Sequence, residues 1–287
     1  MSFLRHIAAC NAFRPELFVP LFFGAQRVGT LRRDNADALR QFPDLFDVSR
    51  HEVRIIAEGD DTMLTRRIDE AAEQLMADGL IKKMRNEFFA IAPRWGDKAL
   101  FMLDRGAMGF FGARAYGVHL NGFCQESGAY RLWIGRRDPT KQVAPGKLDN
   151  LVAGGIGHGL GARATLVKEA EEEASIAAPL IDRANAVGVI SYRMETPRGL
   201  RDDILFLYDL ETPADFVPRN NDGEIVEFFL MDARDVLTRV RDTDDFKFNV
   251  NLVIIDFALR HGLITPEDRD YVELATGLHR RQEIQPS

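Results

Sequence analysis

The chain has 287 residues, enough for two cores at roughly 150 residues per domain. Apolar residues make up 46% and charged residues 28%, a balance that excludes disorder and fibrous repeats. A net charge of -7 excludes a surface built to grip nucleic acid or an anionic membrane, so an anionic ligand requires local positive charge.

The opening "MSFLRHIAACNAF" is interrupted by Arg5 and His6 and is too short and polar for a secretory signal. Cys10 and Cys124 lie far apart without a metal-binding spacing, and no stretch approaches the apolar length of a membrane span. Together these features predict a cytoplasmic protein. "LFVPLFFGAQRVGTLR" reads as strand, glycine turn and strand. In "DDTMLTRRIDEAAEQLMADG", Asp61 or Thr62 suits a helix cap, and Ile68, Ala71, Ala72, Leu75 and Met76 share one face. Gly79 suits the end of that helix. "EFFAIAPRW" returns to strand composition, and His6 and His51 read as core or surface residues without a catalytic set around them. Residues 1–112 are thus expected to form a small α+β domain, and 113–287 a second, mixed α/β domain.

In the second part, "YGVHLNGFCQ" and "YRLWIGRR" read as strands, followed by the basic connection "RRDPTKQVAPGKLDN". "AVGVISYRM", "DDILFLYDLE" and "NDGEIVEFFLM" supply further strands, and "NVNLVIIDFALRHG" an amphipathic helix ending at Gly262. Between them lies "GGIGHGLGARATLVKEAEEEASI", a glycine loop running into a helix with Glu169, Glu171, Glu172 and Glu173. Such like charges repel unless they face water or a cation. At helical spacing Glu169, Glu172 and Glu173 share one edge while Glu171 points elsewhere. Leu166, Val167, Ala170 and Ala174 form an adjoining apolar face that docks the helix on a core. Carboxylates in this array suit Mg²⁺, which takes a few carboxylates and completes its shell with water and phosphate oxygens. Gly154 and Gly155 permit close backbone approach just where a helix N-terminus favours phosphate.

This combination resembles the Nudix box. Lys168 occupies the usual arginine position, Glu169, Glu172 and Glu173 those of the helix glutamates, and Ser175 that of a glycine. The loop is one residue shorter than the common spacing, and Leu160 stands where the first glutamate is expected. The wider segments "AYGVHLNGF", "LDNLVAGGIGHG", "DGEIVEFFLM" and "FKFNVNLVIIDFALRHG" resemble a Nudix subgroup with an extra N-terminal domain, related to the Nudix portion of fungal thiamine pyrophosphokinase proteins.

The resemblance implies an α/β/α sandwich with a mixed sheet and hydrolysis of a small organic diphosphate. It implies Mg²⁺, or Mn²⁺ in its place, held by Glu169, Glu172 and Glu173. Glu172 and Glu173 would act in catalysis with Lys168 orienting a carboxylate, and a late acid would be Glu224 in preference to Glu227. Substrate contacts are expected from Gly154, Gly155, His119, Asn121, Arg136 and Arg137, with Lys141 and Lys147 extending the basic group and His158 near phosphate. Trp133, Tyr192 and Phe206 are candidates for stacking on a ring. The subgroup implies oxidised thiamine diphosphate as substrate, giving the monophosphate. ADP-ribose or another nucleoside diphosphate derivative is the second reading. A module that binds a diphosphate without cleaving it, motivated by Leu160, is the third.

Overall fold

The computed structural model describes residues 1–279. The chain begins with helix α1 (Leu4–Cys10), then β1 (Phe18–Phe23), β2 (Gln26–Arg32), α2 (Arg33–Ala38), β3 (Phe46–Val48) and β4 (Val53–Ile55). These strands form a four-stranded sheet in the order β2-β1-β4-β3, with β1 and β4 parallel. Helix α3 (Asp61–Ala77) follows, then the hairpin β5 (Phe88–Ile91) and β6 (Phe101–Asp104) and the short α4 (Met108–Phe111). Helix α3 is capped by Asp60, one residue before the expected position: its carboxylate accepts from the Met63 N–H at 2.8 Å. Leu64, Ile68, Ala71, Ala72 and Leu75 bury the predicted face, and Met76 packs against it half-buried. Gly79, at φ 79°, makes the left-handed exit that few other residues adopt.

The second part contains β7 (Arg114–Glu126), β8 (Ala129–Arg137), β9 (Leu148–Asp149), β10 (Val152–Gly155), α5 (Ala162–Ala174), α6 (Ala178–Ile181), β11 (Asn185–Thr196) and β12 (Gly199–Glu211). It closes with β13 (Ile225–Asp232), α7 (Ala233–Asp242), α8 (Val250–Arg260) and α9 (Tyr271–Gly277). The sheet runs β11-β12-β7-β8-β13, with β10 on β7 and β9 on β8, and β12 parallel to β7. Val118, Leu120, Leu166, Ala170 and Tyr208 form the core beneath α5. Ile134, Leu205, Leu207, Val236, Val253 and Phe257 form the core on the opposite face, under α7 and α8. The expected three-layer sandwich with a mixed sheet is therefore present. Among the described residues, no helix is long and apolar enough to cross a membrane.

Two features tie the halves together. Helix α1 lies on the second core, where Phe3, Leu4, Ile7 and Cys10 pack with the α8 and α9 residues, so the first helix departs from the 1–112 grouping. At the junction, Gly112 turns at φ 56° with its backbone against Thr30, where a Cβ would lie 1.9 Å from the Thr30 carbonyl. Asn35 Nδ2 donates to the carbonyls of Phe110 at 3.0 Å and Arg198 at 2.9 Å, bridging the two parts.

Candidate active site

Strand β10 delivers the chain to the acid-bearing helix α5. Gly154 and Gly155 pair with Val118 and Gly117 of β7, so they belong to the sheet rather than to a free loop. Their missing side chains make room for protein groups. A Cβ on Gly154 would stand 2.3 Å from Glu169 Cγ, and one on Gly155 would stand 2.7 Å from the Phe89 ring. The expectation that these two glycines open onto a ligand is corrected to that extent. The loop proper is the stretch after them, in which Gly159 has φ 82° and the His158 N–H donates to the Phe88 carbonyl at 2.7 Å.

On α5 the carboxylates occupy three different environments. Glu173 is buried, and its Oε2 accepts from the Ala153 N–H at 2.8 Å. Burial raises its carboxyl well above the ordinary value, and the charges of Asp149, Glu169 and Glu224 add to the effect against the Ala153 hydrogen bond. Glu169 is likewise raised, first by burial, with Lys168 opposing and Glu172 and Glu224 adding. Glu172 is more open, and Lys168 Nζ bridges to it at 2.8 Å and to Glu169 at 3.2 Å. The hydrogen bond to Glu172 and the charge of Glu169 hold the Lys168 ammonium above its ordinary value. Glu171 is exposed, away from this edge. Ser175 ends the helix at φ 54° and ψ 39°, the left-handed position that explains why the motif usually carries glycine there.

Glu224 stands near enough to add to the field on Glu169 and Glu173, and its carboxylate pairs with Lys141. Glu227 is exposed and lies 3.9 Å from Arg136. The basic group does not converge. Arg137 is buried and donates to Asp149 at 2.7 Å, while Arg136, its neighbour on β8, points outward over the Phe229 ring. Strand alternation sends adjacent side chains to opposite faces, which disperses the expected patch. Lys147 donates to the Asp244 carbonyl at 2.6 Å.

His119 and Asn121 are also corrected. Both are buried and lie on the face opposite Val118 and Leu120, hence away from α5. They join an internal chain: His119 Nδ1 donates to Asn150 Oδ1 at 2.8 Å, Asn150 Nδ2 to Asn121 Oδ1 at 2.9 Å, and Asn121 Nδ2 to Asp209 Oδ1 at 3.0 Å. Asp209 also accepts from Arg260 and His261. Of the ring candidates, Trp133 packs into the core against Phe216, and Tyr192 is fully buried with its hydroxyl on Asp203 at 2.5 Å.

Phe206 leads instead to a cleft that sequence reading overlooked. It rests 4.8 Å from the Trp95 ring, and Trp95 rests 4.7 Å from Tyr116. The cleft holds about 280 Å³ between the first part, at Phe89, Arg94, Trp95 and Asp97, and the second, at Arg114, Tyr116 and the loop 156–161. His158 and Leu160 lie along it.

A glycine-flanked carboxylate helix clamped on a mixed sheet, beside a cleft, offers the oxygen donors that a hydrolase of phosphorus anhydrides requires. Residues 116–250 match the NUDIX domain, and residues 2–115 match the family described as a domain of unknown function (DUF4743). The chain is 38% identical to Nudix hydrolase 20, chloroplastic, of Arabidopsis thaliana, across 98% of this chain and 78% of that protein. It is 40% identical to Nudix hydrolase 24, chloroplastic, of the same plant, across 95% of this chain and 76% of that one. Among solved structures, the NUDIX domain of Shewanella oneidensis NrtR complexed with ADP ribose superposes with a TM-score of 0.42 at 13% identity, over 52% of this chain and 88% of that chain. This chain belongs to the Nudix hydrolases.

Proposed function

We propose that this Nudix hydrolase is Mg²⁺-dependent and cleaves small organic diphosphates between their two phosphates, with oxidised thiamine diphosphate as the leading substrate. The observation that carries the reading is the edge of α5: Glu169 and Glu172 already close on one cation, the Lys168 ammonium, at 3.2 and 2.8 Å. Among the described residues, no three acids or imidazoles stand together as a ready metal cage. The donor chemistry nevertheless fits Mg²⁺, because Glu169 and Glu172 share a single ammonium and Glu173, buried on the same helix, has the Ala153 N–H as its hydrogen-bond partner. Glu169, Glu172 and Glu173 would hold the ion, which neutralises the diphosphate and orients water when bound. Mn²⁺ has the same preference for oxygen donors.

The residues divide the remaining work. The Ala153 N–H fixes Glu173, and Gly154 leaves the space in which Glu169 lies. Lys168 keeps Glu169 and Glu172 oriented. Glu224 approaches the same edge as the late acid, in the role of base or further ligand.

The thiamine assignment rests on the full-length resemblance of the segments quoted above, with an aromatic cleft beside the glycine loop in support. The test is kcat/KM across oxidised thiamine diphosphates, intact thiamine diphosphate, ADP-ribose and nucleoside diphosphates at one Mg²⁺ concentration. A preference of about a hundredfold for the oxidised forms, some 2.7 kcal/mol of transition-state binding, supports the assignment. Stronger turnover of ADP-ribose replaces the substrate and keeps the chemistry. Saturable binding without turnover of any member identifies a non-catalytic module.

A further inference from the structure

We infer that Trp95, supplied by the N-terminal part, determines specificity by stacking the flat heteroaromatic ring of the substrate in the cleft beside Tyr116, with Phe206 backing both rings. This rests on the diphosphate-hydrolase reading and adds to it a ring requirement and a task for the N-terminal part.

Three observations converge. Trp95 leaves 45% of its surface exposed although two aromatic rings lie beside it. Such a large apolar surface at the mouth of a cleft gains by being covered with another flat ring, in the offset or edge geometries that aromatic quadrupoles favour. Tyr116 and Phe206 lie nearly parallel, 22° apart with centroids at 6.3 Å, and Trp95 is tilted 51° to each, so two elements of the sheet and one loop of the other part form a single aromatic wall. The volume of about 280 Å³, just below the usual range of ligand pockets, suits a small ring system rather than a large ligand.

The wall is also on the correct side of the sheet. Phe206 pairs in register with Val118, and Tyr208 with Leu120, all packed in or against the core beneath α5. Two residues before Val118, Tyr116 repeats the same orientation. The floor of the cleft, Gly157 to Gly161, runs directly into α5, which carries Glu169 on the following turns. A ring at Trp95 therefore leaves its diphosphate arm a path along the glycine loop toward the carboxylates. Arg114 adds a polar edge: its Nε is buried without a hydrogen-bond partner, while its Nη2 lies 3.7 Å from Asp202.

The test compares wild type, Trp95→Ala and Trp95→Phe on oxidised thiamine diphosphate, ADP-ribose and methyl diphosphate, which has no ring. In Trp95→Ala, the ratio of kcat/KM for ring-bearing over methyl diphosphate falls by about tenfold or more, chiefly through KM, as loss of one stacking partner predicts. Trp95→Phe recovers most of that ratio. An unchanged ratio in Trp95→Ala overturns the inference. Binding is read separately in the Trp133→Phe background, which leaves Trp95 as the single tryptophan of the two in the chain. Thiamine monophosphate or AMP, titrated in the presence of chelator, quenches its fluorescence saturably; no quenching by either overturns the ring site. Quenching without turnover of any diphosphate by wild type keeps the ring site and removes the hydrolase reading. Turnover with neither quenching nor a change of ratio does the reverse.

Discussion

Glu169 lies across the backbone of Gly154 so closely that a Cβ on that glycine would stand 2.4 Å from the Glu169 carboxyl carbon. The glycine that opens the motif is thus a vacancy shaped for a carboxylate. Gly154→Ala is expected to displace Glu169 and reduce kcat by about tenfold or more, since small displacements of positioned groups cost rates of that order. Circular dichroism should show the fold retained. A variant with wild-type kcat would show that Glu169 functions from another rotamer.

Glu172 is the most open of the three α5 carboxylates, with 45% of its side chain exposed. Its replacement disturbs no buried contact. Glu172→Gln should therefore lower kcat by about a hundredfold or more with little change in melting temperature, the scale expected when a charge acting on a reacting phosphate is removed. Excess chelator should abolish wild-type turnover. Activity that survives either treatment counts against the metal assignment.

The helix that carries the candidate site was legible because its pattern is local. Helical spacing alone placed Glu169, Glu172 and Glu173 on one edge, and apolar periodicity located α3 and α8. The failures are long-range. Strand β7 is buried along Gly117–Phe123, so alternation separates His119 and Asn121 from Val118 and Leu120 without indicating which set faces α5. Arg136 and Arg137 are different: their divergence follows from strand geometry and was readable. Trp95 belongs to no periodic pattern, and only the packing of two parts reveals that it walls a cleft. Helix α1 is amphipathic, but its sequence contains nothing that selects the second core over the first.

Ser175 holds a left-handed backbone at φ 54° that glycine adopts without a Cβ penalty. Its hydroxyl donates to the Arg219 carbonyl at 2.9 Å, a solvent-exposed contact of small value. Ser175→Gly is expected to stabilise the protein by up to about 1 kcal/mol, read from urea denaturation, with kcat unchanged. A loss of stability would assign the greater weight to the Arg219 contact.

Asn35 is buried, and its amide joins the Phe110 carbonyl to the Arg198 carbonyl across the junction. Asn35→Ala leaves these acceptors without that donor and should cost about 1–3 kcal/mol. Because the bond spans both parts, the melting transition should shift as one. Splitting into two transitions would show instead that the halves unfold independently.

The buried chain from His119 to Asp209 gives stability a pH dependence whose sign is fixed. Burial, followed by the nearby charge of Lys247, lowers His119 from its ordinary 6.5 to about 4, against the attraction of Asp149. Its Nδ1 already donates to Asn150, so a second proton must enter at Nε2 inside the fold. Between these two values the unfolded chain binds a proton that the folded chain refuses. The contribution is therefore complete above pH 6.5 and declines as pH falls toward about 4, by about 1.4 kcal/mol per unit and on the order of 3 kcal/mol in all. His6, lowered chiefly by burial, acts in the same direction. Asp149 operates lower: burial favours its neutral form, but Lys247, His119 and Arg137 outweigh that and hold it below the ordinary 3.8, so its contribution is lost only as pH falls through the acid range beneath that value. The raised carboxyls of Glu169 and Glu173 act in the opposite direction as pH falls, so the His119 contribution is read as the difference between wild type and variant in urea midpoints measured from pH 7 down to about pH 4.5. His119→Gln keeps an amide donor for Asn150 and cannot take up a proton, so its midpoint should fall less over the same interval, whatever its absolute stability. Equal slopes in the two proteins would show that His119 is protonated in the fold and that another group carries the dependence.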